Sequence, residues 1–362
     1  MKITGARVTA ISIPRREVLT TSYGKHDDAR TVVVELATDE GLVGVGQTAV
    51  DAPFYGESAD GIVANTRAHL VPAVTGESPL DIERLVRRMR AALPSHWSSH
   101  AGIELALWDL KGKTLGVPVY QLLGGRVRDG VSLMGFVRRS NAARMAREVD
   151  ATLAEHAYPV IKMKIGVDPE EDVAQYRAVA EAVGDRAVIQ ADGNTGYTMA
   201  QAIPALAAME RAGRLGAVEQ PVARTGDLAE IARRLSVPVM ADEAIYAPAD
   251  AIDVVQQRAA SIALMKITKH GGLLSVQKIA AIFEAAGLVL SVAIYYDVIG
   301  AAAAHVAAAI PCVRWPSPPT ELADTILTAP HAPDGLLLRV PEGPGLGVAL
   351  DPEKLRKYAL DL

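Results

Sequence analysis

Along the first third of the chain, apolar residues first alternate with polar ones and then recur at helical spacing. Residues 8–13 alternate weakly, and 31–37 and 42–47 are apolar-rich runs on either side of Thr38-Asp39-Glu40-Gly41. Two such runs around a four-residue turn ending in glycine predict a β-hairpin. Segments 59–70, 82–92 and 100–115 predict amphipathic helices; the last carries Ile103, Leu107 and Leu110 on one face and Asp109 and Lys113 at i,i+4. Antiparallel strands followed by helices form an α+β pattern.

After Leu122-Leu123-Gly124-Gly125 the pattern changes. Short apolar runs at 131–137, 160–165, 187–191, 217–219, 237–240, 262–267, 289–292 and 312–315 alternate with amphipathic stretches. Strand candidates separated by helices predict parallel βα units, and eight of them in about 200 residues predict a closed (β/α)8-type, TIM-like barrel. The expected chain is therefore α/β: an α+β capping domain over 1–122, a barrel over 123–327, and a proline- and glycine-rich segment, 328–362, returning to the capping domain.

Composition narrows the function. Half of the residues are apolar and 22% charged, with only 3 Phe, 3 Trp and 10 Tyr, so the core must be aliphatic and alanine-rich. A net charge of −5 gives no general attraction to nucleic acid or anionic membrane. Cys312 stands alone, which excludes an intramolecular disulfide framework and a CxxC zinc site. The N-terminal stretch lacks the apolar run of a signal peptide, and the weakly polar run at 299–310 is too short to span a bilayer. A cytoplasmic enzyme is expected, assembled as a homo-oligomer, with neither nucleic acid nor membrane as partner.

Barrels of this kind carry their chemistry where the strands end. There the sequence places Lys164, Asp192, Glu219, Asp242 and Lys266, spaced 23 to 28 residues apart, about one βα unit each. A lone Asp after a strand is commonly a helix cap, and a lone Lys-x-Lys commonly a solvated edge. Five in strand order point instead to one charged mouth. Three carboxylates there repel unless a cation neutralises them, and oxygen ligands without His or Cys suit Mg²⁺ or Mn²⁺. Lysines beside the cation can serve as general acid and base. Lys162 lies two residues from Lys164 and shares its face. It is expected to depress the proton affinity of Lys164 and to bond a substrate carboxylate.

The segments IKMKIG, QADGN, VEQPV, MADEAI and LMKITKHGG, together with GIELALWDLKGKTLGVPVYQLLGG before the barrel, resemble the enolase superfamily and, within it, the muconate-lactonising-enzyme subgroup. The resemblance runs along essentially the whole chain. It implies Asp192, Glu219 and Asp242 as metal ligands supported by Asn194 and Glu243, Lys164 and Lys266 as acid/base lysines on opposite faces of the substrate, and Lys162 as helper. It also implies the superfamily's use of a Lys or His base with Mg²⁺ stabilising an ene-diolate, and so a small carboxylate substrate. Two positions depart from the pattern: Tyr296, followed by Asp297, stands where a seventh-strand glutamate is usual, and Gly46-Gln47 replaces Gly-Glu in the hairpin.

Three reactions share this machinery: cycloisomerisation of a muconate, racemisation or epimerisation of an N-acylamino acid or dipeptide, and dehydration to o-succinylbenzoate. The stretch Glu321-Leu322-Ala323-Asp324 lacks the Asp-x-Asp pair usual in dipeptide epimerases, while LMKITKHGG and Tyr55-Gly56-Glu57-Ser58 resemble muconate cycloisomerases. The expected enzyme is thus an isomerase converting cis,cis-muconate to muconolactone in aromatic catabolism. A racemase or epimerase is the alternative, and a non-catalytic metabolite-binding barrel a remote one. Residues 19–28 are expected to be a polar loop over the barrel mouth, with Tyr23, Lys25 and His26, as well as Tyr296 and Asp297, facing the substrate. Trp97 and His100 are expected in interdomain packing, and His305 on a helix face.

Overall fold

Strands β1 (Ile3–Thr21), β2 (Gly24–Thr38) and β3 (Val43–Val50) form an antiparallel sheet in that order in the computed structural model, which describes residues 1–320 and 322–362. Glu321 lies outside the described residues. The β2–β3 hairpin is the one expected. The β1–β2 hairpin is new: pairing continues out to Thr21 and Gly24, broken only by an irregularity between Pro14 and Leu19. Residues 19–28 are therefore the end of a β-hairpin and not a loop. Its two faces carry mixed polar residues because the end projects over the barrel and rests on no core, so no alternation marks it.

The 59–70 helix is interrupted by a π-turn, Thr66–Leu70, and continues as Val71–Val74. Pro72, which has no N–H to give, enters just after that turn. The helix Trp97–Leu115 runs beneath β3 so closely that a Cβ on Gly46 would stand 1.9 Å from the Gly102 carbonyl oxygen. Only glycine fits there.

The predicted 131–137 strand is two strands. β4 (Gly130–Ser132) turns outward, while β5 (Gly135–Val137) begins the barrel. It is followed in parallel by β6 (Val160–Lys164), β7 (Val188–Asp192), β8 (Leu215–Glu219), β9 (Val239–Ala241), β10 (Ile262–Met265) and β11 (Val289–Val292). The eighth strand expected at 312–315 is reduced to single bridges, Val313 to Leu290 and Ser317 to Leu133, which join the two edges of the sheet. Pro311, Pro316, Pro318 and Pro319 leave that segment too few donors for a ladder.

The C-terminal segment pairs at two places. β12 (Leu337–Arg339) pairs with β4, and Ser12 N and Leu360 N exchange bonds with Tyr358 and Ala10 carbonyls along the outer edge of β1. One hydrophobic core runs from the antiparallel sheet through the barrel and includes the alanine-rich helix Asp297–Ala309. Trp97 packs against Gly271, and His100 bonds the Leu93 carbonyl. His305 is buried at a junction, bonded to Tyr120 N and Leu346 O. Among the described residues, no helix is long and apolar enough to cross a membrane.

Candidate active site

Strand register builds the site. Lys164 pairs with Asp192, and Asp192 with Glu219, so the three lie side by side at one end of the sheet. Asp242 follows Ala241 and Lys266 follows Met265, each one residue beyond its strand. Ile161, Met163 and Ile165 alternate with the lysines and are buried against the helices, which turns Lys162 and Lys164 into the barrel mouth.

Asp192, Glu219 and Asp242 are all 0% exposed. Lys162 Nζ lies 2.8 Å from Asp192 Oδ2 and 2.6 Å from Glu219 Oε2. Lys164 bonds Asp192 Oδ2 at 2.5 Å and also Asn194 Oδ1. Across the mouth, Lys266 lies 2.5 Å from Asp242 Oδ2, and the fully buried Lys269 lies 2.7 Å from Asp242 Oδ1. Burial penalises the charged form of Asp192, but the Lys162 and Lys164 ammonium groups outweigh it and hold the carboxyl below its usual range. In the same way Lys266 and Lys269 draw Asp242 down to about 2. Glu219 goes the other way, pushed up by burial and by the charge of Asp192. Burial and the charge of Asp242 push Glu243 up to about 7. For Lys162, burial is outweighed by Asp192 and Glu219, so its proton is held more tightly than in water.

Supporting side chains fix these groups. Gln190 Nε2 donates to Glu219 Oε2, while its Oε1 accepts from Trp315 Nε1 at 2.5 Å. Gln220 Oε1 accepts from Asp242 N at 2.8 Å and Ala244 N at 3.1 Å. Glu243 Oε1 accepts from Asn194 Nδ2 at 3.0 Å and the Tyr23 hydroxyl at 3.1 Å. Asn194, Thr195 and Gln220 hold φ values of 39°, 59° and 34°, strain of the kind that clusters at functional sites. Sequence reasoning did not single out Gln190, Gln220 or Lys269. The signal was present: Gln190 and Gln220 flank the carboxylates inside QADGN and VEQPV, and Lys269 lies one helical turn after Lys266.

Among the described residues, no three His, Cys, Asp or Glu side chains already stand in a metal-holding arrangement. Ammonium groups stand between the carboxylates instead. The residues nevertheless fit a divalent cation. The donors are all oxygen, and Glu219 Oε1 is buried with no hydrogen-bond partner, an acceptor left open while Oε2 is tied to Lys162 and Gln190.

Above the lysines lies a cavity of about 210 Å³. The β1 side of the hairpin lines it with Arg15, Glu17, Leu19 and Thr21, and Tyr23 continues that face at the turn. Residues 316–320 close another side. Lys25 is exposed, and neither Lys25 nor His26 lines the cavity. Tyr295, not Tyr296, faces it; Tyr296 packs with Ile11, Ile13, Ala29 and Val33. Asp297 turns to Thr325. Gln47 is a tie between the two parts, its Oε1 accepting from Val298 N at 3.1 Å and its Nε2 donating to Thr31 Oγ1 at 3.1 Å. The structure thus gathers the lysines, the carboxylates, Asn194, Glu243 and Tyr23, and leaves Lys25, His26, Tyr296 and Asp297 outside.

Comparison with known proteins accords with this arrangement. Residues 3–124 match the family described as Mandelate racemase / muconate lactonizing enzyme, N-terminal domain, and residues 144–354 match Enolase C-terminal domain-like. Muconate cycloisomerase 1-1 of Acinetobacter lwoffii is 31% identical over 96% of this chain and 93% of its own length. N-succinyl-L-Arg/Lys racemase of Bacillus cereus is 30% identical over 99% of this chain and 98% of its own length, and its crystal structure superposes with a TM-score of 0.94. A dipeptide epimerase from Cytophaga hutchinsonii, crystallised with Mg and a dipeptide, is 25% identical with a TM-score of 0.93, covering 99% of this chain and 98% of that one. Matched through both its parts and along nearly its whole length, the chain is an enzyme of the enolase superfamily, in the mandelate racemase / muconate lactonizing enzyme group.

Proposed function

We propose that this enzyme is an isomerase that depends on a divalent metal, Mg²⁺ or Mn²⁺, and moves a proton at the carbon α to a substrate carboxylate. The observation that carries the reading is the pair Lys164 and Lys266, which reach one cavity from the second and sixth barrel strands above three buried carboxylates. Asp192, Glu219 and Asp242 would hold the metal. When bound, the cation supplies positive charge to the carboxylate oxygens as the α carbon gives up its proton. Lys164 and Lys266 take or return that proton on either side. Lys162, kept charged by Asp192 and Glu219, adds positive charge beside the substrate carboxylate. Tyr23 and residues 316–320 close the mouth and limit the access of water.

Cycloisomerisation of cis,cis-muconate is the reaction that the LMKITKHGG and Tyr55-Gly56-Glu57-Ser58 segments favour, and it needs only one lysine as proton donor. A second reading, racemisation or epimerisation of an N-acylamino acid or dipeptide, is favoured by both lysines lining the same cavity, because that chemistry uses them in turn. The experiment that separates the two incubates the metal-loaded enzyme with each substrate. Loss of the diene ultraviolet absorbance with formation of muconolactone supports cycloisomerisation. Inert muconate together with loss of optical rotation in an N-acylamino acid, or appearance of the second diastereomer of a dipeptide, supports the second reading. No reaction with any of these carboxylates would count against both.

A further inference from the structure

We propose that Asp51 forms a subsite for a positively charged group, so that the carboxylate acted on here carries an ammonium or guanidinium at its far end. The inference rests on the proton-transfer reading above and narrows its substrate. Asp51 follows β3, opens the short helical turn Ala52–Tyr55 and lines the cavity. An aspartate in that position ordinarily turns an oxygen back onto the N–H groups of the turn it opens. Here the side chain makes no such bond; the backbone carbonyl alone accepts from Phe54 N and Tyr55 N. Oδ1 is buried and has no hydrogen-bond partner.

The contrast with the other acids in the cavity wall is what decides. Asp192 has two lysines, and Glu17 pairs with Arg138 at 3.1 Å. Asp51 has no ion pair among the described residues. Arg15, which lines the same cavity, gives its Nε to the Asp28 carbonyl at 3.1 Å. A carboxylate oxygen removed from water without a partner is costly, and a ligand cation removes that cost.

The surroundings suit a cation as well. Tyr23, Phe54 and Tyr295, in a chain poor in aromatic residues, line the cavity, and Tyr55 links Phe54 to Tyr295. Ring separations are 5.7 Å from Tyr23 to Phe54 and 4.8 Å from Phe54 to Tyr55, and the Tyr55 and Tyr295 hydroxyls bond each other. Aromatic faces attract cations, and the Phe54 ring already sits 3.7 Å from the Lys266 ammonium. A second carboxylate entering that end of the cavity would meet repulsion from Asp51.

The test uses the full chain with Mg²⁺ and matched substrates: Nα-acetyl-lysine against N-acetyl-norleucine, and Ala-Leu against N-acetyl-Ala-Leu, with cis,cis-muconate alongside. Deuterium uptake at the α carbon from D₂O, followed by NMR, gives kcat and KM for each. The wild-type enzyme is expected to prefer the cationic member of at least one pair by tenfold or more in kcat/KM. Asp51→Asn, nearly isosteric, should cut that preference at least fivefold, mainly through KM, and Asp51→Glu should restore part of it. Exchange with no preference for the cationic partner, efficient turnover of muconate, or a preference that survives in Asp51→Asn would each overturn the inference while leaving the proton-transfer reading intact. Absence of reaction with every carboxylate would overturn that reading and this inference with it.

Discussion

Glu219 has one oxygen fixed by Lys162 and Gln190 and the other buried and open, an asymmetry that suits the metal-binding role proposed for it. Asp192→Asn, Glu219→Gln and Asp242→Asn should therefore each abolish Mg²⁺ or Mn²⁺ binding in a calorimetric titration while the circular dichroism spectrum stays native. Wild-type metal affinity in Glu219→Gln would contradict the assignment. Gln190 acts through Glu219, so Gln190→Leu should weaken metal binding by about 10- to 100-fold, the usual consequence of removing a partner that orients a ligand. For the lysines, Lys164→Ala and Lys266→Ala should each lower kcat by about a thousandfold, or ~4 kcal/mol of transition-state stabilisation, as steady-state assays of the variants would measure.

The helix Trp97–Leu115 joins the capping domain to the barrel through two buried acids. Glu104 accepts from Leu273 N and Leu274 N, each at 2.8 Å, and so caps the barrel helix Leu273–Ala285; it also accepts from Trp108 Nε1 at 2.8 Å. Asp109 accepts from Val45 N and Leu346 N, each at 2.8 Å, tying the hairpin and the C-terminal segment to the same helix. Glu104→Ala leaves two buried backbone donors without partners and should cost roughly 2–4 kcal/mol in urea denaturation. A loss below about 0.5 kcal/mol would mean that water replaces the carboxylate. The sequence already shows Asp109 at i,i+4 from Lys113, and the pair forms at 2.6 Å, but nothing local reveals bonds that reach residues 45 and 346. The same holds for strands. β6 to β11 are legible because both faces are buried and their apolar runs stand out. The outer part of the β1–β2 hairpin is not, because no core imposes a pattern on it, and the eighth crossing, although Cys312 and Val313 are buried in the core, is broken by prolines that its apolar run does not weigh.

At the scale of the molecule, one core spans both parts, and His305 is buried where they meet the C-terminal segment. A backbone N–H can only donate, so the bond from Tyr120 N makes Nδ1 the acceptor and leaves the ring neutral, with Nε2–H given to Leu346 O. Burial accordingly pulls this histidine down to about 4. The unfolded chain takes up the proton near pH 6.5, whereas the folded chain does not until about pH 4, so this contribution to stability is present above 6.5 and is lost as pH falls through that window. Comparing wild type with His305→Gln by urea denaturation at pH 7 and pH 5 isolates it. The stability difference between the two should move in favour of the variant by about 2 kcal/mol at pH 5. An unchanged difference would mean that the folded ring takes up its proton at the same pH as the unfolded chain. His305 also marks how far sequence reading extends: its helix is evident from composition, but its partners at 120 and 346 come together only in the tertiary structure. The five charged strand ends were legible because strand order alone brings them together. The cavity wall was not, since Tyr295 and Tyr296 are adjacent in sequence and the left-handed backbone at Tyr295, with φ of 51°, is a tertiary feature that no local pattern marks.

The central claim is that Lys164 and Lys266 move a proton at the α carbon of a substrate held over Asp192, Glu219 and Asp242. Incubating the metal-loaded enzyme in D₂O with the carboxylate it turns over, and locating deuterium by NMR, tests this directly. Deuterium should appear at the α carbon, disappear after EDTA treatment and return with Mg²⁺, and be lost in the Lys164→Ala, Lys266→Ala double variant. Undiminished exchange in that double variant, or in the EDTA-treated enzyme, would contradict the account.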